Sequence, residues 1–146
     1  MGLKRIDNVA VVVEDLDGAI AFFEELGLEL EGRASVGGEM VDRLVGLEGS
    51  RSELAMMRPP DGHGGIELTR WQHPPASGPG AREVPANARG TGRVMFAVDD
   101  IEDVVTRLKA VGGELIGDIV DYDNSYRLCY MRGPEGIIMG LAQEMS

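Results

Sequence analysis

Apolar residues fill "VAVVV" from Val9 and then recur every three or four residues from Leu16. The first stretch reads as a strand, the second as an amphipathic helix. Leu16, Ile20, Phe23 and Leu26 form one apolar stripe. Asp15 or Asp17 can cap its start, and Gly27 can end it in a left-handed turn. The pattern returns from Val94: a strand, then Ile101, Val104, Val105, Leu108 and Val111, closed by Gly112 and Gly113. Set against each other, "VAVVVEDLDGAIAFFEELGLELEG" and "VMFAVDDIEDVVTRLKAVGGELIG" bring Asp15 onto Asp100, Gly27 onto Gly112 and Gly32 onto Gly117. In the same order, "MMRPPDG" from Met56 matches "YMRGPEG" from Tyr130. Each is followed by a strand, "GIEL" from Gly65 and "IMGL" from Ile138. The chain is an internal repeat.

Each half reads as strand, helix and three further strands. Those later strands are expected near 28–34, 52–57 and 66–71, and again near 114–121, 126–131 and 137–143. The segment "GGEMVDRLVGLEG" from Gly37 has no counterpart and reads as a short helix or loop. The Pro- and Gly-rich stretch from His73 has no periodicity and reads as a linker or arm. The predicted fold class is α+β: two tandem βαβββ modules, 1–72 and 92–146, joined by a linker at 73–91. Neither half is large enough to bury its own sheet well. They are therefore expected to form one compact domain with a curved, cup-like mixed sheet and the helices outside. Alternation turns Val9, Val11 and Val13 toward the helix and leaves Asn8, Ala10 and Val12 on the cup side. By the same rule Arg93, Met95 and Ala97 face the cup.

Composition narrows the function. At 146 residues with a net charge of −11, the chain lacks the clustered Lys and Arg that phosphate binding needs, so nucleic acid is not an expected partner. No apolar run approaches the roughly 18 residues of a membrane span, and no signal peptide opens the chain. The single cysteine, Cys129, cannot form an internal disulfide, which suits a cytoplasmic protein. No histidine base stands near Cys129 in sequence. No nucleophile elbow, phosphate loop, dinucleotide fingerprint or zinc-type cysteine pair appears.

The duplicated unit headed by "VVVEDLDGAIAFFEELGLEL" resembles the vicinal oxygen chelate superfamily, which includes glyoxalase I, extradiol dioxygenases and bleomycin-resistance proteins. "RGPEGIIMGL" is similar to the closing stretch of that family. In metal-dependent members the ligands come from the first and last strands of each half, and the resemblance puts those positions at Asn8, Glu67, Arg93 and Gly140. Only Glu67 is a good ligand. Arg93 would repel a divalent cation, and Gly140 has no side chain. The two histidines, His63 and His73, read as exposed loop residues. No metal and no other cofactor is therefore expected.

Two roles stay open for Arg93: replacing a lost metal by neutralising Glu67, or offering a donor fork to a carboxylate, phosphate or carbonyl of a ligand. Trp71 shares a face with Glu67 and Thr69. It either borders the cup, where it can stack on a planar ligand, or packs under the linker or at a subunit contact. Tyr126, Leu128 and Tyr130 alternate with Arg127, Cys129 and Met131, and sequence does not say which set lines the cup. Met56, Met57, Met95, Met131 and Met139 suit either an adaptable pocket or an ordinary core. The expected ligand-binding residues are Asn8, Glu67, Arg93, Trp71, Tyr126 and Tyr130, with Glu67 a possible general base. The resemblance implies a homodimer that binds a small organic molecule without a catalytic metal. The alternative is an isomerase, lyase or dioxygenase-like enzyme working without metal or through an unorthodox site.

Overall fold

The computed structural model describes residues 2–145, with Glu83 described in its backbone only. A first unit, ending at Gly78, holds β1 (Val9–Val12), α1 (Leu16–Leu26), β2 (Glu29–Gly37), α2 (Glu39–Val45), β3 (Arg51–Arg58) and β4 (Ile66–His73). A second, beginning at Pro79, holds a 3-10 turn (Ala81–Glu83), β5 (Val94–Ala97), α3 (Ile101–Ala110), β6 (Glu114–Leu115), β7 (Val120–Tyr122), β8 (Tyr126–Arg132), another 3-10 turn (Pro134–Gly136) and β9 (Ile138–Glu144). The architecture is α+β, with one mixed sheet per unit.

The strand orders are β1-β4-β3-β2 and β5-β9-β8-β6, with β7 added alongside β8. In each sheet the first and last strands run parallel and the remaining pairs antiparallel. The registers repeat as the sequence does. Val9 pairs with Ile66 and Ala10 with Glu67; Val94 pairs with Met139 and Met95 with Gly140. Met56 lies opposite Glu67, and Tyr130 opposite Gly140.

Both long helices start and stop as their sequences dictate. The Asp15 carboxylate accepts the Gly18 N–H at 2.9 Å, and Asp100 accepts the Asp103 N–H at 3.1 Å. Gly27 and Gly112 follow with φ of +123° and +100°, a turn that a Cβ would strain. Leu16, Ala19, Ile20, Phe22 and Phe23 of α1 are buried, as are Ala55, Met57, Ile66 and Leu68 on one face of the first sheet. In the second unit the buried set is Ile101, Val104, Val105 and Leu108 with Cys129, Met131, Met139 and Leu141. Each large side chain so buried contributes about 1.5–3 kcal/mol.

Several expectations need correction. Strands begin at Val9 and Val94, so Asn8 and Arg93 stand one residue ahead of them. Of the three valines turned toward α1, Val13 is buried, Val11 half-buried and Val9 exposed, because β1 is an edge strand. Val111 lies beyond the end of α3 and is 48 % exposed. The strand expected at 114–121 is broken into β6 and β7 around Gly117. The segment from Gly37 does form a helix, α2, and none of its side chains is buried. Asp42 ties that helix down by accepting the N–H groups of Gly49 (2.9 Å) and Ser50 (2.7 Å) and the Ser50 hydroxyl. These bonds hold the Asp42 carboxyl below its ordinary range.

The start of the second unit is more than a spacer. The Arg132 guanidinium donates to the carbonyls of Ala81 (3.0 Å), Val84 (2.7 Å) and Gly136 (3.0 Å). It thus ties the 3-10 turn at Ala81–Glu83 to the loop before β9. The Arg82 backbone packs against Gly136, leaving no room there for a Cβ.

Candidate functional site

One face of each sheet is covered by its helix, and the candidate residues lie on the other. Side chains of paired residues project to the same side of a sheet. In the first unit this places Ala10 and Val12 of β1, Glu67, Thr69 and Trp71 of β4, and Leu54 and Met56 of β3 on one face, exposed at Ala10 and Val12 and buried at Thr69. Glu67 is half-buried, and its Oε2 accepts the Thr69 hydroxyl at 2.7 Å. Trp71 is half-buried opposite Ser52. Asn8 is half-buried just ahead of β1, its amide donating to the Asp7 carboxylate at 3.3 Å.

The second unit settles which set of β8 side chains is open. Cys129 and Met131 are buried on the side of α3, so Tyr126, Leu128 and Tyr130 share the opposite face with Met95, Gly140 and Ala142. The Arg93 guanidinium carbon stands 4.5 Å from the centre of the Tyr130 ring, a cation–π stack. Arg93 is exposed, and among the described residues of its unit no carboxylate pairs with it. Tyr122 of β7 lies directly opposite Tyr126 and enlarges the aromatic surface. Sequence reasoning missed Tyr122, although the Asp-Asn turn between two tyrosine-bearing stretches was a hairpin signal.

Gly140 explains how these groups meet. Tyr130 on β8 and Met95 on β5 are separated by β9, a gap of roughly 10 Å between backbones. A Cβ at position 140 would fall 2.7 Å from the Met95 sulfur, 2.8 Å from its terminal methyl and 3.4 Å from the Tyr130 ring. The space of the missing side chain is therefore taken by Met95, with the Tyr130 ring at its border. In the first unit the same place carries the Glu67 carboxylate.

The four positions to which the resemblance assigned metal ligands, Asn8, Glu67, Arg93 and Gly140, thus hold an amide, a carboxylate, a stacked guanidinium and a glycine. A divalent site takes three or four N, O or S donors. The second unit supplies none at its two positions, and Asn8 with Glu67 supplies too few, so the donor set does not fit. Among the described residues no three His, Cys, Asp or Glu side chains converge to hold a metal ion. Cys129 is buried, and burial pushes its thiol up, away from the reactive thiolate. Among the described residues no helix is long and apolar enough to cross a membrane.

A sequence model of the Glyoxalase/Bleomycin resistance protein/Dioxygenase superfamily matches residues 5–140. A solved glyoxalase family protein from Bacillus cereus is similar over 100% of this chain and 97% of its own, with 55% identity and a TM-score of 0.95. The uncharacterized protein YwbC of Bacillus subtilis (strain 168) is 29% identical over 136 residues, covering 91% of this chain and 92% of YwbC. The fold also matches TnmS3, an antibiotic binding protein from Streptomyces sp. CB03234. That match has a TM-score of 0.63 and 20% identity over 99% of this chain and 98% of TnmS3.

Proposed function

From the premise that the chain belongs to the Glyoxalase/Bleomycin resistance protein/Dioxygenase superfamily, we propose that it binds a small organic molecule on its open sheet faces without a catalytic metal. The observation that carries this reading is Gly140. Its place is taken by the Met95 thioether, near a Tyr130 ring that carries a guanidinium, which disfavours a cation. The faces so formed combine apolar and aromatic area with a few polar groups, which is the usual composition of a small-molecule site. Asn8, Glu67 and Trp71 contribute in the first unit, and Arg93, Tyr126 and Tyr130 in the second. TnmS3 shows that a chain of this fold can serve as an antibiotic binding protein. The superfamily fold by itself does not choose the chemistry. A cytoplasmic homodimer belongs to the same proposal, and light scattering at micromolar concentration should return the mass of two chains.

The test is a thermal-shift series on protein purified without a tag. Chelator and added divalent metals should leave the melting temperature unchanged. A planar natural product that binds should raise it, by about 2.7 kcal/mol of stabilisation at a hundredfold excess over Kd. Trp71 is the single tryptophan and gives a second readout by fluorescence. One tightly held divalent ion per chain in metal analysis would overturn the proposal.

A further inference from the structure

We infer that the open face of the second unit is an organic-anion site, in which Arg93 grips a carboxylate or sulfonate and Tyr126 and Met95 carry an attached planar apolar body. This rests on the ligand-binding reading above and names the class of ligand for one of its faces.

The chain carries 25 acidic against 14 basic side chains, and many of its arginines are paired with carboxylates. Arg93 differs: its described partner is the face of Tyr130, at 4.5 Å. A ring engages the guanidinium without consuming its N–H donors, so the fork of donors stays available to an anion. The carboxylates that the strands put on this face stand well away. Glu144 lies opposite Tyr126, four residues along β8 from Tyr130 and so about 13 Å off, and Glu114 lies opposite Arg132 on the far strand β6.

The surroundings supply the apolar half. Met95 is 45 % and Tyr126 43 % exposed, with Leu128 between Tyr126 and Tyr130 on the same face. Met95 lies over Gly140, whose other neighbour is the Tyr130 ring under Arg93, so cation, ring and thioether are grouped around one position. A ligand with its anionic group on Arg93 would lay its body over Met95 and along β8 toward Tyr126. Those side chains would otherwise be left in water. Neutral ligands would gain only the apolar part.

Two fluorescent probes that differ by one group test this: 8-anilinonaphthalene-1-sulfonate and N-phenyl-1-naphthylamine, which lacks the sulfonate. With the whole protein, the sulfonate probe is expected to bind the more tightly. Arg93→Gln should weaken it roughly tenfold, as for loss of a charge-assisted bond, and leave the neutral probe within about twofold. Arg93→Lys should recover part of the loss, and Tyr126→Ala should weaken both probes. Amide shifts in NMR should move at β5, β8 and β9 when the sulfonate probe is added. Equal losses for both probes in Arg93→Gln, no loss for either, or shifts centred on exposed Met40 and Leu44 of α2 would overturn the anion assignment and leave the ligand-binding reading standing. Binding of neither probe would count against both.

Discussion

Gly140→Ala tests the packing on which the metal argument depends. The new Cβ would meet the Met95 Sδ at 2.7 Å and Cε at 2.8 Å, both closer than carbon and sulfur tolerate. The atoms in the way belong to the end of a flexible, exposed side chain, so they can withdraw, but only by giving up their packing over Gly140. Overpacking of this kind costs about 1–3 kcal/mol. Gly140 does not have a positive φ, so alanine also restricts the unfolded chain and returns about 0.4–1 kcal/mol. The net expectation is a loss of roughly 0–2.6 kcal/mol. A double-mutant cycle in urea isolates the cause. With Met95→Ala already in place the clash is gone, and Gly140→Ala should become stabilising by roughly 0.4–1 kcal/mol. The sign of the effect therefore reverses between the two backgrounds. Equal destabilisation in both would show that Met95 does not fill the space and would refute the reasoning.

Other predictions follow from single side chains. The Asp42 carboxyl is held below its ordinary value of 3.8, so its bonds to Gly49 and Ser50 stabilise the fold above that value and are lost as pH falls through the lower folded value. Asp42→Asn should therefore lower the urea midpoint at pH 7, and the gap to the parent protein should close toward pH 3. Asp100→Ala should cost about 1 kcal/mol through loss of the α3 cap, and Asp100→Asn much less, both measurable by urea unfolding. Arg132→Met removes the three hydrogen bonds that hold Ala81, Val84 and Gly136 together. Thermolysin cleavage within 79–91 should rise roughly tenfold, since local opening governs such cuts; an unchanged rate would mean the turn is held by other contacts.

The repeat made most of the fold legible. The order of strands and helices in each half follows from laying Val9 on Val94 and Gly65 on Ile138, and Asp15 was one of two legible caps for α1. Single positions escaped where the pattern carried no sign. Tyr126, Leu128 and Tyr130 are as apolar as Cys129 and Met131, so alternation could separate the two sets without saying which was buried. The answer required the register of β8 against β9 and the position of α3. Val111 sits on the expected stripe by spacing, but the helix ends at Ala110 and leaves it outside. The tie between Arg132 and the turn at Ala81–Glu83 joins residues about fifty positions apart through backbone carbonyls, which no side-chain pattern records. At the candidate site, the absence of donors at Arg93 and Gly140 was legible. The stack on Tyr130 and the occupation of the glycine were not, because both depend on a ring reaching across β9.

Comparing equivalent positions shows where the two halves have been allowed to differ. On the helix side Ala55 answers to Cys129, Met57 to Met131, Ile66 to Met139 and Leu68 to Leu141, and all eight are buried. Arg58 answers to Arg132, and each donates to the carbonyl of the equivalent glycine, Gly62 at 3.1 Å and Gly136 at 3.0 Å. Beyond that bond, Arg58 takes Glu31, whereas Arg132 takes the 3-10 turn. On the open side the exchanges are of another kind: Asn8 for Arg93, Ala10 for Met95, Met56 for Tyr130 and Glu67 for Gly140. A close-packed layer tolerates little change in volume or polarity, so the helix side keeps its character. The open side, more exposed though buried at Thr69 and Gly140, has diverged in charge as well as size. One half presents a carboxylate bonded to Thr69 and the other a guanidinium stacked on Tyr130. That difference is where selectivity for a ligand can arise, and it makes the two faces separable by mutation.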